Sequence, residues 1–208
     1  AIYGHPFEHK GKLYLLWSGW KSRRIFEEMQ CLYIAEMANP WTLASERVLI
    51  SEPKYEWEFQ WVGTDGNKAA YPVYVNEMPF LFRSKSGDKL LVYYSASANW
   101  TPYHCIGLLV AGADSDLLSP ASWTKLSEPV FSQSPENNAY APGNICFLPS
   151  PDYKEWYMLY LVRSSLNDML VVDSRSLRMQ PVSWDEEGFP VLGVPVKDGT
   201  MFHKPSGL

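Results

Sequence analysis

The chain has 208 residues, of which 46% are hydrophobic and 15% aromatic, and its formal net charge is −5. This length is sufficient for a single domain with a substantial core, and we expect one domain over residues 1–208. The negative charge and the lack of a basic cluster in the sequence argue against nucleic acid as a partner. No apolar run approaches the roughly 18 residues that cross a bilayer, which argues against a membrane partner.

Short apolar segments recur along the chain, and clusters of Gly, Pro, Asn and Asp separate them. Segments of this kind are typical of β-strands. We predict strands at residues 12–18, 31–36, 73–83, 89–96, 105–111, 144–149, 156–162 and 169–173. No stretch keeps the helical period over about ten residues, so the sequence predicts an all-β fold.

The predicted strands form three similar units, each with two apolar strands followed by a segment that contains tryptophan. The first two units begin at Lys12 and Lys89, which are 77 positions apart. In the third unit, strands 156–162 and 169–173 precede a segment ending at Trp184. A repeat of roughly 70 residues with about four strands is typical of a β-propeller blade. Because a closed propeller has about four to eight blades, three units with a partial strand at each end predict an incomplete propeller.

The segment 75–79 places the carboxyl group of Glu77 inside an apolar, β-prone stretch. Burial disfavours a charged carboxylate and raises its pKa. A carboxyl group that stays protonated near neutral pH can act as a general acid. The alternative is an edge-strand glutamate that faces water, and the residues alone leave both interpretations open.

The cysteines and most of the other acidic residues have structural interpretations. Cys31, Cys105 and Cys146 each lie in an apolar run, where buried and unreactive thiols are expected. Solvated turn positions are expected for Asp65, Asp88, Asp114, Asp152, Asp168 and Asp185.

Several segments together have a recognisable order. They are Ala1-Ile-Tyr-Gly-His-Pro, Val75-Asn-Glu-Met-Pro, Tyr94-Ser-Ala-Ser-Ala-Asn-Trp, Ala121-Ser-Trp-Thr-Lys, Ala141-Pro-Gly-Asn and Arg178-Met-Gln-Pro-Val-Ser-Trp. Through these segments the chain resembles glycoside hydrolase family 43 over nearly its whole length. The order of the motifs carries the resemblance, since any one of them alone is weak.

The resemblance implies a fold and an activity. The fold is a five-bladed propeller of four-stranded antiparallel blades, of which this chain includes about blades two to five and lacks the first. The activity is removal of terminal α-L-arabinofuranosyl or β-xylosyl residues from plant polysaccharides such as arabinan or arabinoxylan. The family inverts configuration, with a general acid and a general base roughly 6.5–9.5 Å apart. Glu77 has the position of the acid, and the base is expected in the first blade.

Two positions differ from the family pattern. Tyr3 stands where the family has an aspartate that tunes the acid's pKa, and a phenol carries no negative charge near neutral pH. Asn144 stands where the family has a histidine that lines the axial channel and meets a bound ion. An asparagine oxygen can bind a hard cation such as calcium, but the imidazole is missing, so an axial calcium is in doubt.

The resemblance also suggests residues that contact the sugar. Trp20 and Trp100 match the family's substrate funnel, where an indole face can pack on a sugar ring, whereas core packing is an equal alternative for Trp17. Asn76 and Arg178 are further candidates. Arg175 could reach a group near the axis or form a surface salt bridge.

Three functional hypotheses follow. The first is a secreted arabinofuranosidase-like hydrolase acting on carbohydrate, although no signal peptide is visible in this chain, which begins at Ala1. The second is a degenerate, non-catalytic propeller that binds carbohydrate, for which Tyr3 and Asn144 are the support. The third is a protein-interaction propeller. An incomplete propeller leaves open sheet edges and faces, so we expect the isolated chain to self-associate.

Overall fold

The structure is a computed structural model in which residues 1–22, 29–60, 74–168 and 174–208 are described. Three antiparallel sheets follow one another along the chain, each built around four consecutive strands. The all-β prediction is confirmed. Sheets of four consecutive antiparallel strands are consistent with propeller blades. The single domain, the total of five blades and the missing first blade stay predictions.

The first sheet has the strand order β1-β2-β3-β4, with β5 added on β3. Its strands are β1 (Ile2–His9), β2 (Lys12–Gly19), β3 (Cys31–Asn39), β4 (Thr42–Leu43) and β5 (Val48–Ser51). A two-residue turn joins β1 to β2, with φ of 49° at Lys10 and 71° at Gly11. Positive φ at both positions suits the right-handed twist of a hairpin.

The second and third sheets repeat this order. The second contains β6 (Asn76–Arg83), β7 (Lys89–Ala96), β8 (Cys105–Gly112) and β9 (Thr124–Lys125). The third contains β10 (Tyr140–Pro149), β11 (Trp156–Arg163), β12 (Arg175–Trp184) and β13 (Pro190–Val191). Short 3-10 helices lie at Glu56–Glu58, Pro120–Ser122, Pro135–Asn137 and Leu166–Asp168.

Most of the predicted strands are confirmed to within a few residues, but the third unit differs. The predicted strand at 169–173 lies outside the described residues, as does Val73. The strand that pairs with β11 is β12, whose end at Val182–Trp184 the sequence assigned to an outer segment. Along β12 the usual pattern of buried apolar and exposed polar residues is reversed. Arg178 and Gln180 are buried, while Leu177 and Met179 are exposed. A pattern search for buried apolar residues therefore misses it.

The core lies between the sheets. Leu16, Leu32 and Ile34 of the first sheet pack against Leu90 and Val92 of the second. Since both faces of the second sheet are covered, its strands read as continuous apolar runs.

The second sheet packs against the third on its other face. There the Phe82 and Phe147 rings stack with centroids 4.3 Å apart, within a cluster that includes Tyr93, Met158 and Tyr160. The three sheets are thus stacked in chain order.

The outer faces of the first and third sheets carry exposed apolar side chains. On the first, Ile2 and Leu43 are exposed, and on the third, Leu148, Leu177 and Met179. The expected self-association of the isolated chain stays a prediction. Within the described ranges, no helix is long and apolar enough to cross a membrane.

Candidate active site

The first strands of the three sheets, β1, β6 and β10, share a bulge near their beginning. The register shifts between Ile2 and His5, between Glu77 and Phe80, and between Gly143 and Cys146. The residue inside each bulge has a left-handed backbone, with φ of 57° at Tyr3, 52° at Met78 and 58° at Asn144. Such a φ is uncommon outside glycine, so its recurrence shows that the three strands share one bulge conformation. β1 contacts β6, and β6 contacts β10, which brings the three bulges together at one end of the sheets.

Two buried serines hold the bulges of the following sheets. Ser18, at the end of β2, accepts a hydrogen bond from the backbone N–H of Met78 at 3.0 Å. Ser95, at the matching place in β7, accepts one from the N–H of Asn144 at 2.9 Å. Both serines have no exposed surface. Each hydroxyl satisfies a backbone donor that the bulge removes from the strand ladder.

Glu77 lies at the start of β6, half-buried, immediately before the left-handed Met78. The Gln30 side chain donates a hydrogen bond to its Oε2 at 3.2 Å. Burial raises the pKa of the Glu77 carboxyl above its ordinary value, and the hydrogen bond from Gln30 and the positive charge of Arg175 oppose the rise. The environment therefore favours a protonated carboxyl group over a wider pH range than a solvated glutamate has.

Tyr3 is brought close to this carboxyl group. Burial raises the pKa of the Tyr3 phenol, the Glu77 charge raises it further, and the Arg175 charge lowers it. Tyr3 is 46% exposed and lines a groove of about 920 Å³ together with Trp17, Trp20 and other residues. Tyr3, Glu77 and Arg175 are thus within electrostatic reach of one another, and the role of Tyr3 beside the candidate acid stays a prediction.

Asn144 and His104 mark the third bulge. His104 has no exposed surface, and its Nδ1 donates to the carbonyl of Ser97 at 2.9 Å. Burial lowers the pKa of His104 to about 4, so the imidazole is neutral at physiological pH. Its Nε2 and the buried Asn144 Oδ1 have no hydrogen-bond partner among the described residues.

These two side-chain atoms alone do not make a calcium site. Calcium takes about six to eight oxygen ligands, whereas the Asn144 and His104 side chains offer one amide oxygen and one imidazole nitrogen. Among the residues that the structure describes, no group of three or more His, Cys, Asp or Glu side chains could hold a metal ion. An axial calcium ion therefore stays a prediction that these two side chains alone do not support.

Trp20 and Trp100 lie at the same end of the sheets as the bulges. Trp20 follows the last residue of β2, Trp100 lies in the turn after β7, and both are half-buried. Their contact with a sugar stays a prediction. Trp17 is only 6% exposed and stacks on Tyr33 with ring centroids 5.8 Å apart. These contacts favour core packing, the alternative expected for Trp17, over contact with a sugar.

Two of the suggested sugar contacts are placed differently by the structure. Asn76 has no exposed surface, because its side chain points to the face of β6 opposite Glu77 and is fully hydrogen-bonded there. Arg178 is buried and donates to the carbonyl of Val196 and, at 2.7 Å, to the Ser164 hydroxyl. Both side chains have hydrogen-bond partners within the chain, so their contact with a sugar stays a prediction, and the charge of Arg175 acts on Glu77.

The remaining aspartates that the structure describes have the expected turn roles where their hydrogen bonds are known. Asp88 accepts from Ser84 and Ser86, and Asp185 accepts from the backbone N–H groups of Glu187 and Phe189. Asp114 forms an exposed pair with Lys10. Asp65 lies outside the described residues.

Sequence reasoning missed a buried ion pair behind β6, between Glu58 and Lys125. They are 67 positions apart, and no local pattern connects them.

The sequence and the fold were also compared with those of known proteins. The profile of Glycosyl hydrolases family 43 matches residues 1–190. The chain belongs to glycosyl hydrolase family 43. The resemblance drawn from the motif order is thereby confirmed.

Three relatives within or close to this family show how far the likeness extends. An extracellular exo-α-(1→5)-L-arabinofuranosidase of Streptomyces avermitilis is 40% identical over 184 residues, which are 86% of this chain and 35% of that protein. Alpha-L-arabinofuranosidase 43 of Humicola insolens is 35% identical over 196 residues, which are 93% of this chain and 38% of that protein. The crystal structure of an α-L-arabinofuranosidase from Lactobacillus brevis matches with a TM-score of 0.80 and 31% identity, over 97% of this chain and 58% of that one. The chain thus spans less than half the length of these two curated family relatives.

Proposed function

We propose that the protein containing this chain is a glycoside hydrolase that removes arabinofuranosyl residues from plant polysaccharides with inversion of configuration. Glu77 is the general acid in this proposal. The observation that carries it is the Glu77 carboxyl group, half-buried at the bulge of β6 with its pKa raised by burial. The names of the family relatives support arabinose-containing substrates, with β-xylosyl residues as the alternative.

In the proposed reaction, the Glu77 carboxyl donates its proton to the glycosidic oxygen as the bond from that oxygen to the anomeric carbon breaks. A water molecule attacks the anomeric carbon from the opposite face and gives its proton to a second carboxylate. We assign that second carboxylate to no described residue of this chain. The name "extracellular" on the Streptomyces relative supports secretion as part of the proposal.

The charges and hydrogen bonds around Glu77 have opposing effects on its pKa. Burial raises the pKa of the Glu77 carboxyl and so favours its protonated form, while the Gln30 hydrogen bond and the Arg175 charge limit this rise. After proton transfer, the same Arg175 charge and Gln30 N–H stabilise the carboxylate that forms. Tyr3 adds no negative charge, so in this chain burial replaces the like-charge effect expected of an aspartate at that position.

The test is hydrolysis of an aryl α-L-arabinofuranoside by the full-length protein. The wild-type protein is compared with Glu77→Gln, which keeps the shape of the side chain and removes the proton donor. Loss of most of the turnover in Glu77→Gln supports the proposal, and full activity contradicts it. The anomeric configuration of the first product, followed by NMR, separates inversion from retention.

Tyr3 favours a second candidate function, a carbohydrate-binding propeller without catalysis. The phenol of Tyr3 cannot supply the charge of the aspartate that the family pattern has there. This candidate predicts measurable affinity for arabino-oligosaccharides by calorimetry and no turnover, with no activity gained in Tyr3→Asp. A Tyr3→Asp variant with higher turnover than the wild type supports the hydrolase instead.

A further inference from the structure

A buried ion pair lies behind the strand that carries Glu77. The Lys125 ammonium and the Glu58 carboxylate are 2.7 Å apart, with exposed side-chain fractions of 12% and 0%. Lys125 also donates to Asn76 Oδ1 at 2.9 Å and to the Glu52 carbonyl at 2.7 Å. All three ammonium protons thus have an acceptor.

Glu58 is equally well satisfied. Its Oε1 accepts from Asn76 Nδ2 at 2.7 Å and from the Tyr94 hydroxyl at 3.1 Å, besides Lys125. Its Oε2 accepts the backbone N–H groups of Lys54 and Tyr55 at 2.6 and 2.9 Å. A carboxylate with five donors is held in one orientation.

Asn76 connects this network to the candidate acid. Its Oδ1 accepts from the Ser51 hydroxyl at 2.7 Å and from Lys125, and its Nδ2 donates to Glu58 and to the Val75 carbonyl. Asn76 directly precedes Glu77, and alternation along β6 places the two side chains on opposite faces. The network therefore fixes the first residue of β6 from behind, while Glu77 faces the other side.

A buried ion pair is weak evidence for stability, because desolvating both charges offsets much of their attraction. In some proteins such a pair instead specifies one arrangement of the chain, and this is the role we consider here. Here it joins the end of β5, the 3-10 helix at Glu56–Glu58, β9 and the start of β6, which come from two sheets. One of the segments that the network joins, the start of β6, carries Glu77.

We propose that Lys125 and Glu58 are positioning residues that hold the Glu77 carboxyl group in its productive place through Asn76. This inference rests on the proposed function, since it assigns a supporting role to residues behind the proposed acid. A misplacement of about 1 Å in a reacting group can cost on the order of 100-fold in rate.

The test uses the full-length protein and the variants Lys125→Met and Glu58→Gln. We expect kcat on an aryl α-L-arabinofuranoside to fall about 10- to 100-fold with KM nearly unchanged. Loosening the start of β6 admits water to Glu77, so we also expect the alkaline limb of the pH–rate profile to move to lower pH. An unchanged kcat and pH profile in folded variants overturns the inference.

A matched control and two further variants keep the test decisive. Lys12→Met removes an exposed pair with Glu36 in the neighbouring sheet and should leave both readouts unchanged. If the single variants do not fold, the double variant Glu58→Gln/Lys125→Met removes both charges together, and Lys125→Arg keeps the charge with a different donor geometry. Low kcat with a shifted alkaline limb in the double variant, and values closer to wild type in Lys125→Arg, support positioning, whereas wild-type values in the double variant overturn it.

The Glu77→Gln variant, measured in parallel, separates failure of this inference from failure of the proposed function. Full activity in Glu77→Gln overturns the proposed function and with it the positioning role. Activity lost in Glu77→Gln but retained in Lys125→Met overturns the positioning role alone. The Glu77 carboxyl pKa, followed by carbon NMR in wild type and Lys125→Met, gives a readout that does not depend on turnover.

Discussion

The bulges of β1, β6 and β10 have the same backbone but different side chains. Their paired residues are Ile2 and Tyr3 in the first, Glu77 and Met78 in the second, and Gly143 and Asn144 in the third. Only β6 presents a carboxyl group at this place. The comparison teaches that the repeated backbone supplies a position at the end of each sheet, and that one residue per repeat decides whether this position can do chemistry.

The largest effect expected for stability concerns the β10 bulge and its neutral histidine. Because the pKa of His104 is lowered to about 4, the unfolded chain binds a proton below pH ~6.5 that the folded chain does not. Stability therefore falls as the pH drops from ~6.5 to about 4, by on the order of 3 kcal/mol from this group. Urea unfolding at several pH values checks this, and a His104→Gln variant with the same pH slope contradicts it.

The next effect concerns the space at the third bulge. A Cβ on Gly143 would lie 2.3 Å from His104 Nε2, whereas a Cβ on Gly4, near the first bulge, meets nothing closer than 3.4 Å. We expect Gly143→Ala to destabilise the fold by about 1–3 kcal/mol through overpacking. Gly4→Ala should cost much less, and equal losses for the two variants in thermal unfolding would count against the comparison.

A smaller effect separates the β6 bulge from the β10 bulge. Ser18→Ala and Ser95→Ala each leave one bulge N–H without its acceptor and should each cost about 1 kcal/mol. Ser18 holds the N–H of Met78, next to Glu77, whereas Ser95 meets Glu77 through the backbone pairing of β6 with β7, which Ser95→Ala keeps. Ser18→Ala should therefore lower turnover on an aryl arabinofuranoside more than Ser95→Ala. Equal losses of turnover in the two variants, at similar stability, would show that the two bulges are not functionally distinct.

The smallest effect is expected at the surface. The pair between Lys12 and Glu36 is largely exposed, in contrast to the pair between Lys125 and Glu58. Exposed pairs add little to stability, so Lys12→Met should leave the melting temperature unchanged. A clear drop in melting temperature would show that this surface pair has a structural role that its exposure does not indicate.

The sequence predicts those parts of the fold in which apolar residues are buried in a regular pattern. The strands containing Leu90–Val92 and Ile106–Leu109 are examples, because both of their faces are covered. β12 is not predicted because its buried positions hold Arg178 and Gln180, which donate hydrogen bonds to the Ser164 hydroxyl and the Leu192 carbonyl.

The candidate site likewise has a part that the sequence indicates and a part that only the structure reveals. Glu77 becomes a candidate from sequence because a carboxyl group in an apolar strand is conspicuous and because the motif order resembles that of the family. The ion pair between Glu58 and Lys125 cannot be found from sequence, because its partners are brought together only by the packing of two sheets. Asn76 shows the consequence, since its sequence position beside Glu77 suggests ligand contact, while the fold turns it to the opposite face.

The general-acid role of Glu77 is tested most directly by comparing leaving groups in the Glu77→Gln variant of the full-length protein. A leaving group of high pKa needs protonation, whereas a dinitrophenolate leaves without it. We predict that kcat falls about 100- to 10,000-fold on the substrate with the poor leaving group and far less on the dinitrophenyl arabinofuranoside. Equal losses on both substrates, or no loss on either, would contradict the assignment of Glu77 as the general acid.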